Sequence, residues 1–481
     1  MTSDFRAFIN KLDEEGELHT VKEEVDPNLE ITEIAIRAQK ESKPAILFEN
    51  VKGSKFPLAI NTFASEKRIR IALGQEPESI GNELLDFVEA LRPPSIKKIF
   101  SQRRTIKRFL AFPPKKTRYS IPHELNTSSL ENLPILKCWP EDGGDFITLP
   151  LVQTNDPLTG IPNLGMYRMH VYGPLSTGMH MQIGKGGGYH YHESEKQGKD
   201  LPLSVTLGGD PVLTIASIMA LPEGVGELEF AGLVRGKRTR ITKCKTIDMY
   251  SPASGEFLIE GYLKPYERKM EGPFGDHFGH YSAAANYPVF NINKIFHRKD
   301  AIYPATVVGK PPQEDKYLGD CTQNILKPLI KIIHPEVKDL WAYFEAGFHS
   351  LLVVSTENRY AREAIKTSLS ILGLGQLSLT KVLILVDEDV DVKNKSQVLD
   401  AIRKNFITEN SMMLISKAPS DTLDFTSKEI HKGSKLIIDA TRKNIDIEPR
   451  VPVLPKDLAA IDNRILGWKL IRNCLLVIRV S

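Results

Sequence analysis

The middle of this chain has a texture that few folds accommodate. From about residue 117 to 330, short β-rich runs such as Gly165 to Tyr172 and Phe257 to Tyr262 alternate with Gly/Pro turns. That pattern predicts a β-barrel or compact sheet carrying loops. Within it, Pro211 to Met219 reads as a short helix and the basic stretch Lys237 to Lys245 as a strand. The flanks read differently. Residues 1 to 116 mix patterns, with a helix over Asp4 to Glu15, a buried strand over Ala45 to Glu49 and a second helix over Ser79 to Leu91. In the last third, Leu351-Leu-Val-Val-Ser and Val382-Leu-Ile-Leu-Val-Asp are short buried-strand patterns. Helix-like segments lie at Asn324 to Ile333, Arg359 to Ile371 and Gln397 to Asn405. This alternation predicts a three-layer α/β domain.

Composition excludes some function classes. A net charge of +3 is too small to imply a polyanionic partner. The basic run from Lys97 to Lys116 comes with no zinc spacing and no RNA-binding aromatic motif, so it reads as a solvated helix face and not a nucleic-acid surface. Cys138, Cys244, Cys321 and Cys474 are widely scattered, as expected of reduced thiols in a cytoplasmic protein. The start, Met1-Thr-Ser-Asp-Phe-Arg, lacks the apolar region of a secretion signal. The apolar tail Ile465 to Val480 is interrupted by Lys469, Arg472 and Arg479, which predicts a packed terminal element with at most peripheral membrane contact.

Three segments carry chemistry. Asn163-Leu-Gly-Met-Tyr-Arg168 offers a carboxamide and a guanidinium, Glu227-Leu-Glu229 an acidic pair, and Glu271-Gly-Pro-Phe-Gly-Asp276 two acids on one sharply turned loop. A guanidinium is a planar fork for a carboxylate. A carboxylic acid delivers a proton if burial and a neighbouring carboxylate keep it partly protonated. A carbonyl oxygen with a carboxylate suits a hard divalent ion. On the residues alone, Arg168 pairing with one acid while the other is solvated is an open alternative, as is a solvated strand edge for Glu227 and Glu229. His190-Tyr-His192 has metal-like spacing, but on a strand the two rings share a face with no third ligand. The run Gly186 to Gly188 after Lys185 reads on its own as a loop, and it is neither a P-loop nor a Rossmann turn.

These segments, in this order, resemble the UbiD family of decarboxylases, which work with prenylated FMN. The resemblance runs nearly end to end. It includes Gly16-Glu-Leu, Val25-Asp-Pro-Asn-Leu-Glu-Ile-Thr-Glu-Ile and Pro44-Ala-Ile-Leu-Phe-Glu-Asn, then Cys138-Trp-Pro-Glu-Asp-Gly-Gly and Ser204-Val-Thr-Leu-Gly-Gly-Asp-Pro. Asp300-Ala-Ile-Tyr, Gly309-Lys-Pro-Pro-Gln-Glu-Asp and Gly433-Ser-Lys-Leu-Ile-Ile-Asp-Ala-Thr complete it. The resemblance implies an N-terminal α/β domain (1–116), a central split β-barrel that binds the flavin (117–330) and a C-terminal three-layer α/β oligomerisation domain (331–481). It implies Asp276 as proton donor, Glu271 as the group that tunes it, and Arg168 as the residue holding the network and the substrate carboxylate. Met166, Tyr167, Arg168, His180, Met181, Gln182, Lys185 and Gly186 match flavin-contacting positions. Asn163 and Glu227, in preference to Glu229, match ligands of a Mn²⁺ or Mg²⁺ ion that bridges to the cofactor phosphate. Where many relatives carry His-Lys or His-Arg, this chain has Gly184-Lys185.

The implied reaction is reversible, non-oxidative decarboxylation of an unsaturated or aromatic acid. Candidate substrates are a 4-hydroxy-3-polyprenylbenzoate of ubiquinone synthesis, a futalosine-route menaquinone precursor, or an anhydromevalonate phosphate. The family also implies a flavin prenyltransferase as cofactor supplier, a homodimer or homohexamer, and a site between the barrel and the N-terminal domain. An FMN-dependent oxidoreductase on a split barrel is the alternative; it has no need of the two acids. A non-catalytic flavin- or metal-binding assembly protein would be expected to lack at least one of Arg168, Glu271 and Asp276, and none is lost.

Overall fold

The helix Phe5–Glu14 shows how local sequence starts the fold. Asp4 caps it by accepting the N–H of Ala7, and Phe5, Phe8, Ile9 and Leu12 form its buried stripe. The structure is a computed structural model that describes residues 3–90, 103–181, 186–221, 224–407, 409–421, 423–424, 426, 432–443, 453–454 and 457–480. The expected helix ending at Leu91 is present as Pro77–Ala90; Leu91 itself and residues 97–102 of the basic run lie outside the described residues. Met1–Ile325 forms one compact unit and Leu326–Ser481 another.

In the first unit, Leu18–Val25 pairs in parallel with Ala45–Val51, which pairs antiparallel with Leu58–Ile60. Tyr303–Pro304 returns from beyond the barrel to lie parallel to Leu58–Ile60. The central sheet is antiparallel at every pairing and curls into a half-barrel. Its strands run in the order Phe146–Ile147, Met169–Gly173, Ser176–Gly178, Ala285–His297, Phe257–Glu271, Leu201–Leu207, Leu151–Asn155, Pro162–Gly165, with Leu125–Thr127 also on Ala285–His297. One hydrophobic core joins both sheets, with Phe48, Leu58 and Ile60 packed in the same cluster as Val205, Phe257 and Phe290. Phe257–Glu271 begins inside that core, becomes exposed over Lys264 to Met270, and ends on the fully buried Glu271.

Two elements differ from expectation. The helix expected over Asn324 to Ile333 runs Glu314–Ile330, opening on two acids that complement its positive N-terminal end. Gly186 to Gly188 is not a loop but the first turn of the helix Gly186–Lys196.

In the second unit, alternation sorts side chains onto two faces. Leu352, Val354, Leu383 and Leu385 pack with Ala364 and Ile371 of the helix Glu363–Ile371. The intervening Val353, Ile384 and Val386 pack with Val398 and Ala401 of Lys395–Asn405. Strand period two between two helices gives the expected three layers. The tail is a hairpin of Ile465–Ile471 with Leu475–Val480. Its Leu466, Trp468, Leu475, Val477 and Val480 are exposed, so the tail is structured but not packed as expected. Among the described residues, no helix is long and apolar enough to cross a membrane. All four cysteines are free.

Candidate active site

Arg168 lies between the strands Pro162–Gly165 and Met169–Gly173, where the chain crosses from one edge of the half-barrel to the strand next to the opposite edge. Its Nε and Nη2 donate to the two carboxylate oxygens of Glu271 at 2.8 and 3.1 Å, its Nη1 to Asp276 at 2.5 Å and its Nη2 also to Ser282 Oγ at 2.9 Å. The guanidinium also stands over the Phe274 ring at 4.5 Å. The open alternative is thereby closed: Arg168 pairs with both acids, and both are buried.

Burial alone would raise both carboxyls. For Glu271 it is outweighed by hydrogen bonds from His180 and Arg168 and by the Arg168 charge, which hold it down to about 2. For Asp276 it is outweighed by His277 and Arg168, again down to about 2. In this arrangement the guanidinium and the two histidines favour the anion of both acids over the partly protonated form. His180 Nδ1 sits 3.1 Å from Glu271 Oε2, and its ring stacks on Tyr287 at 4.3 Å.

The loop that carries the acids is locked from below. Asp142 Oδ1 accepts the N–H of Gly275 at 2.7 Å, its Oδ2 accepts the N–H of Trp139, and Gly143 N–H reaches the carbonyl of Pro273. Trp139 passes between two glycines: a Cβ on Gly275 or Gly309 would lie 2.1 or 2.3 Å from its ring. Gly272, at φ +88°, makes the turn between strand and loop in a region only glycine enters freely. Sequence reasoning misses Asp142, Trp139 and Ser282 as parts of the site. The only signal for the first two is membership of the Cys138 to Gly144 run, and Ser282 has none.

A second group adjoins the first through Tyr167. Its ring is buried against Gly165, and its hydroxyl accepts the N–H of Gly187 at 3.1 Å in the first turn of the helix Gly186–Lys196. Asn163 faces the same turn, since a Cβ on Gly186 would stand 2.0 Å from its Oδ1. Glu227 opens the helix Glu227–Arg235, not a solvated strand edge, and its Oε2 accepts the N–H of Leu164 at 2.9 Å. Burial pushes its carboxyl up to about 7. Glu229, in the same turn, has a buried Oε2 with no hydrogen-bond partner. Glu227 is thus tied to the strand that carries Asn163, and the uncompensated carboxylate oxygen nearby, of a kind a hard cation accepts, is that of Glu229. Among the described residues, no three His, Cys, Asp or Glu gather as a ligand set. Met166 is half-buried and Met181 buried beside these groups in sequence; Gln182, Gly184 and Lys185 lie outside the described residues.

His190 and His192 are on the helix Gly186–Lys196, where residues two apart point to different faces. His190 is a buried core residue bonded to Thr154 Oγ1 at 2.9 Å.

With this geometry in hand, comparison with known proteins places the chain. Three family models match in succession: the 3-octaprenyl-4-hydroxybenzoate carboxy-lyase N-terminal domain over residues 9–88, its Rift-related domain over 115–311 and its C-terminal domain over 316–440. A Chlamydia pneumoniae protein, named as one of the subunits of a 4-hydroxybenzoate decarboxylase, is 41% identical over 444 residues, 92% of this chain and 75% of that one. Vanillic acid decarboxylase of Sedimentibacter hydroxybenzoicus, in its closed form, has a TM-score of 0.82 at 27% identity, covering 96% of this chain and 97% of that one. An evolved dimeric form of the UbiD-class enzyme HmfF of Pelotomaculum thermopropionicum, in complex with prFMN, shares the fold with a TM-score of 0.77 at 23% identity, covering 96% and 100%. From end to end, the chain belongs to the UbiD family of carboxy-lyases.

Proposed function

We propose that this protein releases CO₂ from an aromatic or unsaturated carboxylic acid with the help of prenylated FMN. The observation that carries the reading is the buried Arg168–Glu271–Asp276 network: a carboxylate-gripping fork held between two anions that would otherwise be expensive to bury. Among the similar proteins, one is named for 4-hydroxybenzoate and one for vanillic acid, both hydroxylated aromatic acids, and HmfF is seen with prFMN. A quinone precursor of the 4-hydroxy-3-polyprenylbenzoate or futalosine-route type is the proposed substrate within that class.

Bound prenylated FMN supplies the electron sink that no side chain offers. The protein's own residues do the rest. Arg168 meets the incoming carboxylate, and each hydrogen bond it transfers to substrate loosens its hold on Asp276, whose carboxyl then rises toward the ordinary range. Asp276 delivers the proton to the carbon that CO₂ leaves. Glu271, bound by Arg168 and His180, keeps the guanidinium fixed in its fork. Tyr167, His180, Met166, Met181 and the first turn of the helix Gly186–Lys196 would hold the flavin, and Gln182 and Lys185 match flavin-contacting positions of the family in sequence. The helix N-terminus favours the phosphate. Asn163 and Glu227 would hold Mn²⁺ or Mg²⁺, so Asn163→Ala or Glu227→Ala should lower metal and flavin occupancy together in purified protein. A flavin prenyltransferase supplies the cofactor. The exposed apolar hairpin at the end of the second unit supports assembly into a homodimer or homohexamer.

The test is protein co-expressed with a flavin prenyltransferase, purified without oxygen, and read by absorbance and mass. Aromatic and quinone-precursor acids are then screened for CO₂ release. Prenylated FMN with CO₂ release is the expected result. Plain FMN with NAD(P)H oxidation would replace this reading by a flavin oxidoreductase.

A further inference from the structure

Every decarboxylation of this kind consumes one proton: a carboxylate and a proton become CO₂ and a C–H bond. Asp276 is only 4% exposed, so it must be recharged through a neighbour. The neighbour is next in sequence. His277 Nδ1 lies 2.5 Å from Asp276 Oδ1, and the His277 backbone N–H donates to the same oxygen at 2.7 Å. The imidazole side chain is 24% exposed against 6% for the Asp276 carboxylate, so one ring bridges buried acid and water.

The surroundings hold the ring there. Asp276 and Gly279 close a tight turn, with Gly279 N–H on the Asp276 carbonyl and Asp276 N–H on that of His280. Gly279 packs on Lys310, where a Cβ would stand 3.2 Å from the lysine Cα. Phe278 lies against the imidazole at 4.7 Å between centroids. Asp315, in the first turn of the helix Glu314–Ile330, interacts electrostatically with both His277 and Asp276; burial raises its carboxyl to about 6, and above that its negative charge favours a protonated imidazole. The charged groups acting on the ring are thus Asp276, Asp315 and, through Asp276, Arg168, while Lys310 packs on the turn at Gly279 and His280 lies against Phe278.

We infer that His277 is the proton relay of the reaction, a positioning residue that recharges Asp276 from water once per turnover. The imidazolium passes its Nδ1 proton to Asp276 Oδ1 and is left a neutral imidazole, and water returns the proton. The substrate carbon receives the proton from Asp276, and no oxidant or reductant is involved. This rests on the decarboxylase reading above.

The test has two arms. In cofactor-free protein, NMR follows the His277 ring through a pH titration. Neutralising its partner with Asp276→Asn should move that titration to lower pH, and an unmoved titration overturns the relay. In holoenzyme carrying prenylated FMN, with 4-hydroxybenzoate as probe, His277→Ala should lower kcat by about 10²-fold with KM little changed. Added imidazole should restore part of the rate with imidazole's own pH dependence. His277→Asn, which keeps an N–H near Asp276 but carries no titrating proton, should stay slow. Full turnover in either His277 variant, with Asp276→Asn inactive, overturns the relay alone. Full turnover in Asp276→Asn overturns the role of Asp276 and the relay with it.

Discussion

Asp276 and Glu271 are chemically similar acids set to different tasks by what surrounds them. Both are held down to about 2, Glu271 by His180 and by the Nε and Nη2 of Arg168, Asp276 by His277 and the Nη1 of Arg168. Asp276→Asn should therefore leave folding and flavin binding intact but cut turnover by ~10² to 10⁴-fold, measured as CO₂ release. The same shifts predict acid lability. A carboxyl with a lowered folded pKa adds stability above its ordinary value near 4.5 and loses it as pH falls toward 2. Thermal melting of cofactor-free protein should steepen over that window, and Glu271→Gln should flatten it. Arg168, Glu271 and Asp276 are legible in the sequence because loop glycines flank the acids and because their order resembles a known family. Their charge state is not. It depends on His277, which adjoins Asp276, and on His180, which lies 91 residues from Glu271 and whose proximity no spacing rule announces.

At the scale of elements, the acid loop owes its shape to the run Cys138 to Gly144. Trp139 fills the space that side chains on Gly275 and Gly309 would need, and Asp142 fastens the loop backbone. Gly275→Ala should push the ring or the loop aside, an overpacking of about 1 to 3 kcal/mol. We expect a lowered melting temperature and at least a tenfold loss of turnover with flavin still bound. Short, strongly apolar strands such as Val382–Asp387 are readable from pattern, because both of their faces are covered. The helix Gly186–Lys196 is not. Three glycines at its start oppose helix propensity, and only the tertiary packing of Tyr167 and Asn163 against them explains why they are there. The same misreading puts His190 and His192 on a strand.

At the scale of the molecule, the expected order of a mixed α/β layer, a barrel-like sheet and a three-layer domain is what the chain folds into. The exception is the tail. Its apolar content predicts burial, yet Trp468 is 44% and Val480 61% exposed. A single chain does not cover it. Trp468→Asp should shift sedimentation toward smaller species and leave the melting of the first unit unchanged; an unaltered assembly state would remove the hairpin from the interface.

The long strand Phe257–Glu271 also bears on how the fold is chosen. It pairs with Ala285–His297 at both ends, over Phe257 to Leu263 and Arg268 to Glu271, and delivers Glu271 to Arg168 only in the native register. A slip of one residue would turn Glu271 to the opposite face of the sheet and strand a guanidinium without its fork partner in the interior. Misassembled barrels are thus penalised by the very charges that serve the chemistry. The site acts as a proofreader of strand alignment, and selection for catalysis carries with it selection for a single fold.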